Sequence, residues 1–317
     1  MRDTAKFGAE TTASAVAEGI DLRGKVALIT GGSSGLGQET ARVLAERGAH
    51  VILTARDMSK GEAVAAGIRA STGNQHVEVE ELELGSLKHI RAFAQRFLAR
   101  HPTLHILVNN AGVMACPPAK TADGFELQFG SNHLGHFLMT CLLAPALRQA
   151  APSRVVSVSS RGHHMSPVVF GDIQFERRPC DKWLAYGQSK TANVLFAVGL
   201  ERRLGARGVH ANALHPGGIL TELSRHLQPE DMQFLQARTR GMKFKSVEAG
   251  AATSVFAATT ELEGRGGLYL EDCHVAAVND APDALDGVKS YALDPQIAQR
   301  LWEVSENLLD ERFALSP

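Results

Sequence analysis

The sequence has next to no net charge: 33 lysines and arginines stand against 34 aspartates and glutamates, leaving −1 over 317 residues. That balance supplies neither the broad basic field that draws nucleic acid nor a polybasic membrane anchor, so small neutral or locally anionic ligands are the expected partners. Cysteine is scarce. Cys116, Cys141, Cys180 and Cys273 lie far apart, with no C-x-x-C pair or other zinc spacing, and read as buried or incidental thiols. No run of 18 uninterrupted apolar residues appears, and the opening Met1-Arg2-Asp3-Thr4-Ala5-Lys6 lacks the apolar core of a signal peptide. No membrane association and a reducing cytoplasm are therefore the expectation. With 44% apolar and 21% charged residues, disorder, collagen and coiled coil are excluded as the main architecture.

At roughly 150 residues per domain the length suggests about two domains, but a single α/β sheet with helices on both faces also absorbs it. Residues 1–23, rich in Ala, Thr and Glu, show neither strand alternation nor an obvious cap and read as an N-terminal extension. From Lys25 onward short β-branched runs alternate with segments of helical period, as a parallel sheet requires. The runs are Val26–Thr30, Val51–Ala55, Val77–Leu82, Ile106–Asn109, Val155–Ser159, Val209–Ala213 and Gly267–Leu270. They predict a seven-stranded, doubly wound parallel sheet in one domain spanning 24–317. Two longer stretches, 161–184 and 219–247, follow strands and are expected to face a ligand, because open parallel sheets bind outside the carboxyl ends of their strands.

The first strand runs into Thr30-Gly31-Gly32-Ser33-Ser34-Gly35-Leu36-Gly37, and a helical segment from Gln38 to Arg47 follows. Glycines permit a tight turn and close approach of backbone N–H groups to a pyrophosphate. Gly31, Ser33, Ser34, Gly35, Leu36 and Gly37 are thus expected to hold a dinucleotide; the alternative is an ordinary tight turn. The second strand ends Leu53-Thr54-Ala55-Arg56, without the carboxylate at Ala55 that would bond a ribose 2′-hydroxyl. Arg56 can offer a bidentate fork to a 2′-phosphate, which predicts NADP(H) over NAD(H).

Tyr186 and Lys190 open an apolar segment, and their spacing of four puts them on one helix face. An ammonium about 4 Å from a phenol, at an effective dielectric of about 20, would favour the phenolate by roughly 4 kcal/mol, or about three pK units. The expectation is a phenol that titrates near working pH. The fifth strand delivers Ser159 and Ser160 to the same edge, where Ser160 could donate to a substrate oxygen. The fourth runs into Asn109-Asn110-Ala111-Gly112, and Asn132-His133-Leu134-Gly135-His136-Phe137 follows.

These motifs, with His215-Pro216-Gly217, occur in order across about 240 residues, and together they resemble the short-chain dehydrogenase/reductase family in its single-domain branch. The Asn-His-Leu-Gly-His-Phe segment and the C-terminal Glu271-Asp272-Cys273 and Leu301-Trp302 are similar to retinol-dehydrogenase-like and WW-domain-oxidoreductase-like members. The resemblance implies a tetrad of Asn132, Ser160, Tyr186 and Lys190. In it Tyr186 moves the proton, Ser160 (rather than the competing Ser159) orients the carbonyl, Lys190 depresses the tyrosine and bonds the nicotinamide ribose, and Asn132 holds a relay water. It further implies cofactor contacts at Asn109, Ala111, Gly112, Pro216, Gly217, Ile219 and Thr221. Glu83-Leu84-Gly85 departs from the family's Asp-Leu near the adenine.

The stretch between Ser160 and Tyr186 carries Met165, Val168, Val169, Phe170, Ile173, Phe175 and Trp183; the second adds Leu220, Leu223, Leu227, Met232, Phe234, Leu235, Met242 and Phe244. Singly such residues usually just pack into a core. As two lids they favour a bulky hydrophobic alcohol or ketone of steroid, retinoid or aryl-alkyl type. His133, His136, His163, His164 and His215 lack a carboxylate or cysteine at ligand spacing, so no metal is expected. The helix starting at Tyr186 either pairs subunits in a homodimer or homotetramer or is buried within one chain. The rival functions are a dinucleotide-binding sensor with little turnover, and sugar epimerase or dehydratase chemistry.

Overall fold

The structure is a computed structural model that describes residues 6–239, 243–262 and 264–315. In chain order its elements are α1 (Ala13–Val16), β1 (Val26–Ile29), α2 (Gly35–Glu46), β2 (His50–Ala55), α3 (Met58–Thr72), β3 (Val77–Glu81), α4 (Leu87–Arg100), β4 (Ile106–Asn109), α5 (Leu127–Phe129), α6 (Gly135–Gln149) and β5 (Ser153–Val158). There follow α7 (Lys182–Leu204), β6 (Val209–His215), α8 (Pro229–Arg238), α9 (Val247–Gly250), α10 (Ala252–Thr259), β7 (Tyr269–Glu271), β8 (His274–Val275), α11 (Ser290–Leu293) and α12 (Pro295–Leu309). The strands form one sheet in the order β3-β2-β1-β4-β5-β6-β7-β8. Strand order reverses between β1 and β4, which opens a crevice at their carboxyl ends.

Seven strands fall where the sequence places them, within about two residues at each end. The eighth corrects the count. It pairs antiparallel with β7 through Asp272 and Cys273, both at positive φ (51° and 64°), in a two-residue turn of the mirror-image type. A two-residue strand has no periodicity to read, and the turn carries no Asn-Gly or Asp-Gly signal.

The buried β-branched and leucine side chains of the strands point alternately to two large apolar clusters. One contains Leu28, Ile52, Leu107 and Val155 under α4, α6 and α7; the other contains Ala27, Ile29, Val51 and Val108 under α2, α3 and α10. The stretch before β1 belongs to the second cluster. Thr12 caps α1, its Oγ1 accepting from Ala15 N, and Phe7, Val16 and Leu22 are buried. Phe7 meets the Phe256 ring edge-on at 6.2 Å. A helix of one turn is too short to show a period, which hides this docking from the sequence.

α7 is buried without interruption from Ala185 to Leu200, and its outer face is covered by α12: Phe196 stacks on Trp302, and Ala298 and Leu301 fill the seam. Of the two alternatives for this helix, burial within one chain is the one present. No helix among the described residues is long and apolar enough to cross a membrane.

Candidate active site

The crevice at the β1/β4 reversal deepens into a cavity of about 1020 Å³. Its near end is the turn after β1. Gly31 and Gly35 lie at φ +65° and +52°, the region that favours glycine, and a Cβ on Gly37 would sit 2.3 Å from the Gly31 carbonyl oxygen. The turn is therefore closed by a close backbone approach that only a glycine at 37 allows. Ser34, the first residue before that helix, gives it no side-chain cap, and its first turn holds no acidic residue. The uncapped N–H groups and positive end of a twelve-residue helix thus face the cavity. This suits the pyrophosphate of a dinucleotide. Ser33, Ser34, Leu36, Ala111 and Gly112 line the same wall.

Asn109 is an exception. Its Nδ2 donates to Thr140 Oγ1 at 3.0 Å, on the far side of the strand, and it does not border the cavity. Its neighbour Asn110 does, donating from Nδ2 to the carbonyls of Thr30 (2.8 Å) and Gly31 (3.3 Å). Strand alternation makes only one of two adjacent asparagines face the cofactor side, and the register selects Asn110. At the end of β2 Ala55 is buried, whereas the Arg56 side chain is 63% exposed and reaches Glu83 only at 3.8 Å. Pro216, Gly217, Ile219 and Thr221 follow β6 and complete the wall; the Thr221 methyl closes over Gly35. Lys60 of α3 bonds Glu222 at 2.5 and 2.7 Å, strapping this loop across the mouth.

Deeper in, Ser160, Tyr186 and Lys190 come together. Ser159 and Ser157 turn their hydroxyls to the α7 backbone, donating to the carbonyls of Lys190 (2.7 Å) and Asn193 (3.0 Å). Ser160 instead accepts from Gly162 N at 3.0 Å and bonds the Tyr186 hydroxyl. Gly162 escaped the sequence reading. A Cβ there would lie 2.6 Å from Tyr186 Cε1, so the phenol ring needs a glycine beneath it.

The electrostatics differ from expectation. Burial pushes the Tyr186 phenol up to about 12, against a lowering influence from Ser160, and burial pushes Lys190 down to about 8. Lys190 Nζ stands 5.7 Å from the phenol ring centre and donates to the Val158 carbonyl at 3.0 Å. Desolvation of the phenolate is the larger influence, so the phenol lies above its usual range instead of near neutral pH. Asn132 is fully buried beside these groups. Its Nδ2 protons go to Val113 O and Ser189 Oγ, both at 2.9 Å, its Oδ1 accepts from Val113 N, and it lies behind the cavity wall. Through these bonds its side chain holds the Val113 backbone and Ser189 in place.

The far end is apolar. Leu220, Leu223, Leu227, Met232, Phe234, Leu235 and Phe244 all border the cavity, so the second long stretch forms its roof; Met242 lies outside the described residues. The first stretch mostly packs. Met165 and Trp183 reach the cavity, but Val168, Phe170 and Ile173 join a cluster between α7 and α12, and neither Val169 nor Phe175 lines the site. Met114, which the sequence did not single out, and Cys116, read there as a buried or incidental thiol, supply the facing wall. The five histidines are individually accommodated: His133 bonds Ser305 at 2.8 Å, His136 bonds Thr30, His163 the Ser160 carbonyl, His164 the Gly287 carbonyl, and His215 the Arg161 N–H. Among the described residues no three metal-ligating side chains converge.

Residues 25–232 match the family model of short chain dehydrogenases. Retinol dehydrogenase 12 of Mus musculus is 47% identical over 291 residues, covering 92% of this chain and 88% of that protein. Human retinol dehydrogenase 11 is likewise 47% identical, over 92% and 87%. Among solved structures, an uncharacterised protein from Mycobacterium paratuberculosis superposes with a TM-score of 0.73 at 36% identity, covering 94% of this chain and 98% of that one. The Pseudomonas aeruginosa RhlG/NADP active-site complex does so at 0.65 and 26% identity, over 83% and 98%.

Proposed function

Since the chain belongs to the short-chain dehydrogenase family and is an NAD(P)-dependent oxidoreductase, we propose that it reduces a bulky hydrophobic carbonyl of retinoid, steroid or aryl-alkyl type with NADPH. The observation that carries this reading is one continuous cavity: a glycine-lined helix terminus at one end, Ser160 and Tyr186 in the middle, and an apolar roof at the other. The nicotinamide, when bound, supplies the hydride.

The protein's own groups do the rest. A carbonyl oxygen placed between Ser160 and Tyr186 accepts from both hydroxyls. As the carbonyl carbon becomes tetrahedral, negative charge grows on that oxygen, and the Tyr186 Oη proton passes to it. A phenol held above its usual range by burial carries its proton at neutral pH, the form in which a carbonyl reduction needs it. Lys190, buried beside it, stabilises the tyrosinate left behind until solvent restores the proton. The apolar roof binds the body of the substrate and excludes water. Arg56, exposed and only loosely engaged by Glu83, is the residue for a 2′-phosphate, and the NADP-bound neighbour supports that preference. The retinol-dehydrogenase relatives support the substrate class.

The test is NADPH oxidation against a panel of retinaldehyde, a steroid-sized ketone and a small 2-keto acid. The reading requires kcat/KM for the bulky carbonyls to exceed that for the keto acid by about a hundredfold or more. Equal rates, or preference for the keto acid, would reject it.

A further inference from the structure

We propose that His136 is a positioning residue that locks the cofactor turn to the catalytic helix through a single imidazole tautomer, an inference that rests on the oxidoreductase reading above and deepens it. His136 is fully enclosed between β1 and α6. Its Nδ1 lies 3.0 Å from the main-chain carbonyl of Asn132, and its Nε2 lies 2.8 Å from Thr30 Oγ1.

A carbonyl oxygen only accepts, so Nδ1 carries the proton; in the neutral ring Nε2 is then the acceptor. Burial holds the ring far below its usual range, at about 4, so it is neutral. Thr30 must donate its one hydroxyl proton to Nε2, a closer partner than the Val108 carbonyl at 3.4 Å. The threonine lone pairs are left for the N–H groups of Asn110 (2.9 Å) and Ala111 (3.0 Å). Every bond now has a fixed direction. The opposite tautomer would set the Nδ1 lone pair against the Asn132 carbonyl and leave Thr30 facing a second donor.

The line continues on the other side. Asn132 sits in a π turn (Gly130–Leu134), donates from Nδ2 to Ser189 Oγ at 2.9 Å, and Ser189 Oγ donates to the Tyr186 carbonyl at 2.8 Å. Thus Thr30, at the start of the glycine turn, connects to the turn of α7 that carries Tyr186 and Lys190. His136 is the link with two different ends: its donor end fixes the π turn and hence the catalytic helix, and its acceptor end fixes Thr30 and hence the loops around the cofactor.

Two substitutions separate those ends. In His136→Asn an amide nitrogen replaces Nδ1 and keeps the bond to Asn132, while the link to Thr30 is lost. In His136→Gln the carboxamide oxygen reaches the Nε2 position and keeps Thr30, while Asn132 is released. Expected results are a rise of about tenfold in NADPH Kd and KM for His136→Asn with kcat within about threefold of wild type, and the converse for His136→Gln. Variants that change both parameters together, or neither, overturn the proposal. Nitrogen-15 NMR of the intact wild-type chain, assigned by the signal missing in either variant, tests it without turnover: a proton on Nδ1 supports the lock and a proton on Nε2 overturns it. NADPH fluorescence titration and NMR remain decisive if no carbonyl substrate is turned over, so failure of the lock is distinguishable from failure of the functional reading.

Discussion

The floor and the roof of the cavity are built by opposite rules. On the floor, around Gly31–Gly37, Ser160, Tyr186 and Lys190, backbone and side chains pack so closely that missing methyls are part of the design, and polar groups are paired with the main chain. The roof is a short turn (Glu222–His226) and the ten-residue α8, fastened at its edges by ion pairs: Lys60 to Glu222, Lys182 to Asp231, and Lys245 to Asp272. Leu220 and Phe244 remain 62% and 58% exposed on it. Chemistry demands sub-ångström placement, which a packed floor supplies; accommodating a large apolar ligand demands a surface that gives, which marginal contacts supply.

The comparison is broken most severely by adding a methyl to the floor. Gly37→Ala should abolish detectable NADPH binding and turnover, because the new Cβ meets the Gly31 carbonyl and Asn110 Nδ2 (2.5 Å), and the backbone cannot yield; fluorescence titration checks it. A more exposed part of the floor sets cofactor choice: Arg56→Asp should lower the NADPH-to-NADH ratio of kcat/KM by between about tenfold and hundredfold. An unchanged ratio would remove Arg56 from the 2′-phosphate site.

The floor also carries a stability cost. Lys190 is charged below about pH 8 in the folded chain but up to 10.5 when unfolded, so desolvation lowers stability by about 3 kcal/mol at neutral pH. Since the unfolded chain binds the extra proton, the deficit shrinks as pH rises from about 8 and is gone by 10.5. Lys190→Met should therefore raise stability to denaturant at pH 7, with an advantage that fades over that window, while turnover is lost. A destabilised Met variant at pH 7 would show the lysine's bond to Val158 dominates. The smallest effect belongs to the roof's edge. Glu222→Gln should speed NADPH release only a few-fold, and the difference should narrow in high salt, as for any exposed ion pair.

What the sequence made legible follows the same division. The glycine turn, the Tyr186/Lys190 spacing and the serine at the strand edge were readable because backbone geometry alone dictates those residue types. The phenol's proton affinity was not, since it depends on how completely the ring is enclosed once the chain after β5 folds over it at Ser160 and Gly162. For the same reason Asn109 and Asn110 could not be told apart without the strand's register. Leu220 to Phe244 and Val168 to Ile173 have equally apolar patterns; one borders the cavity and the other fills the seam under α12, a difference set by tertiary packing. Gly162 carried a weak signal, a glycine two residues after the serine, whose meaning appears only once the phenol ring lies against it.

The division of labour is tested most directly by measuring kcat/KM for Tyr186→Phe and Phe234→Ala with two ketones, one steroid-sized and one of a few carbons. Loss of the phenol proton should depress both substrates by about a thousandfold in equal proportion, while Phe234→Ala, by removing a roof ring that packs 5.0 Å from Trp183, should depress only the large one. Near-normal turnover in Tyr186→Phe, or an equal loss for both ketones in Phe234→Ala, would contradict the account.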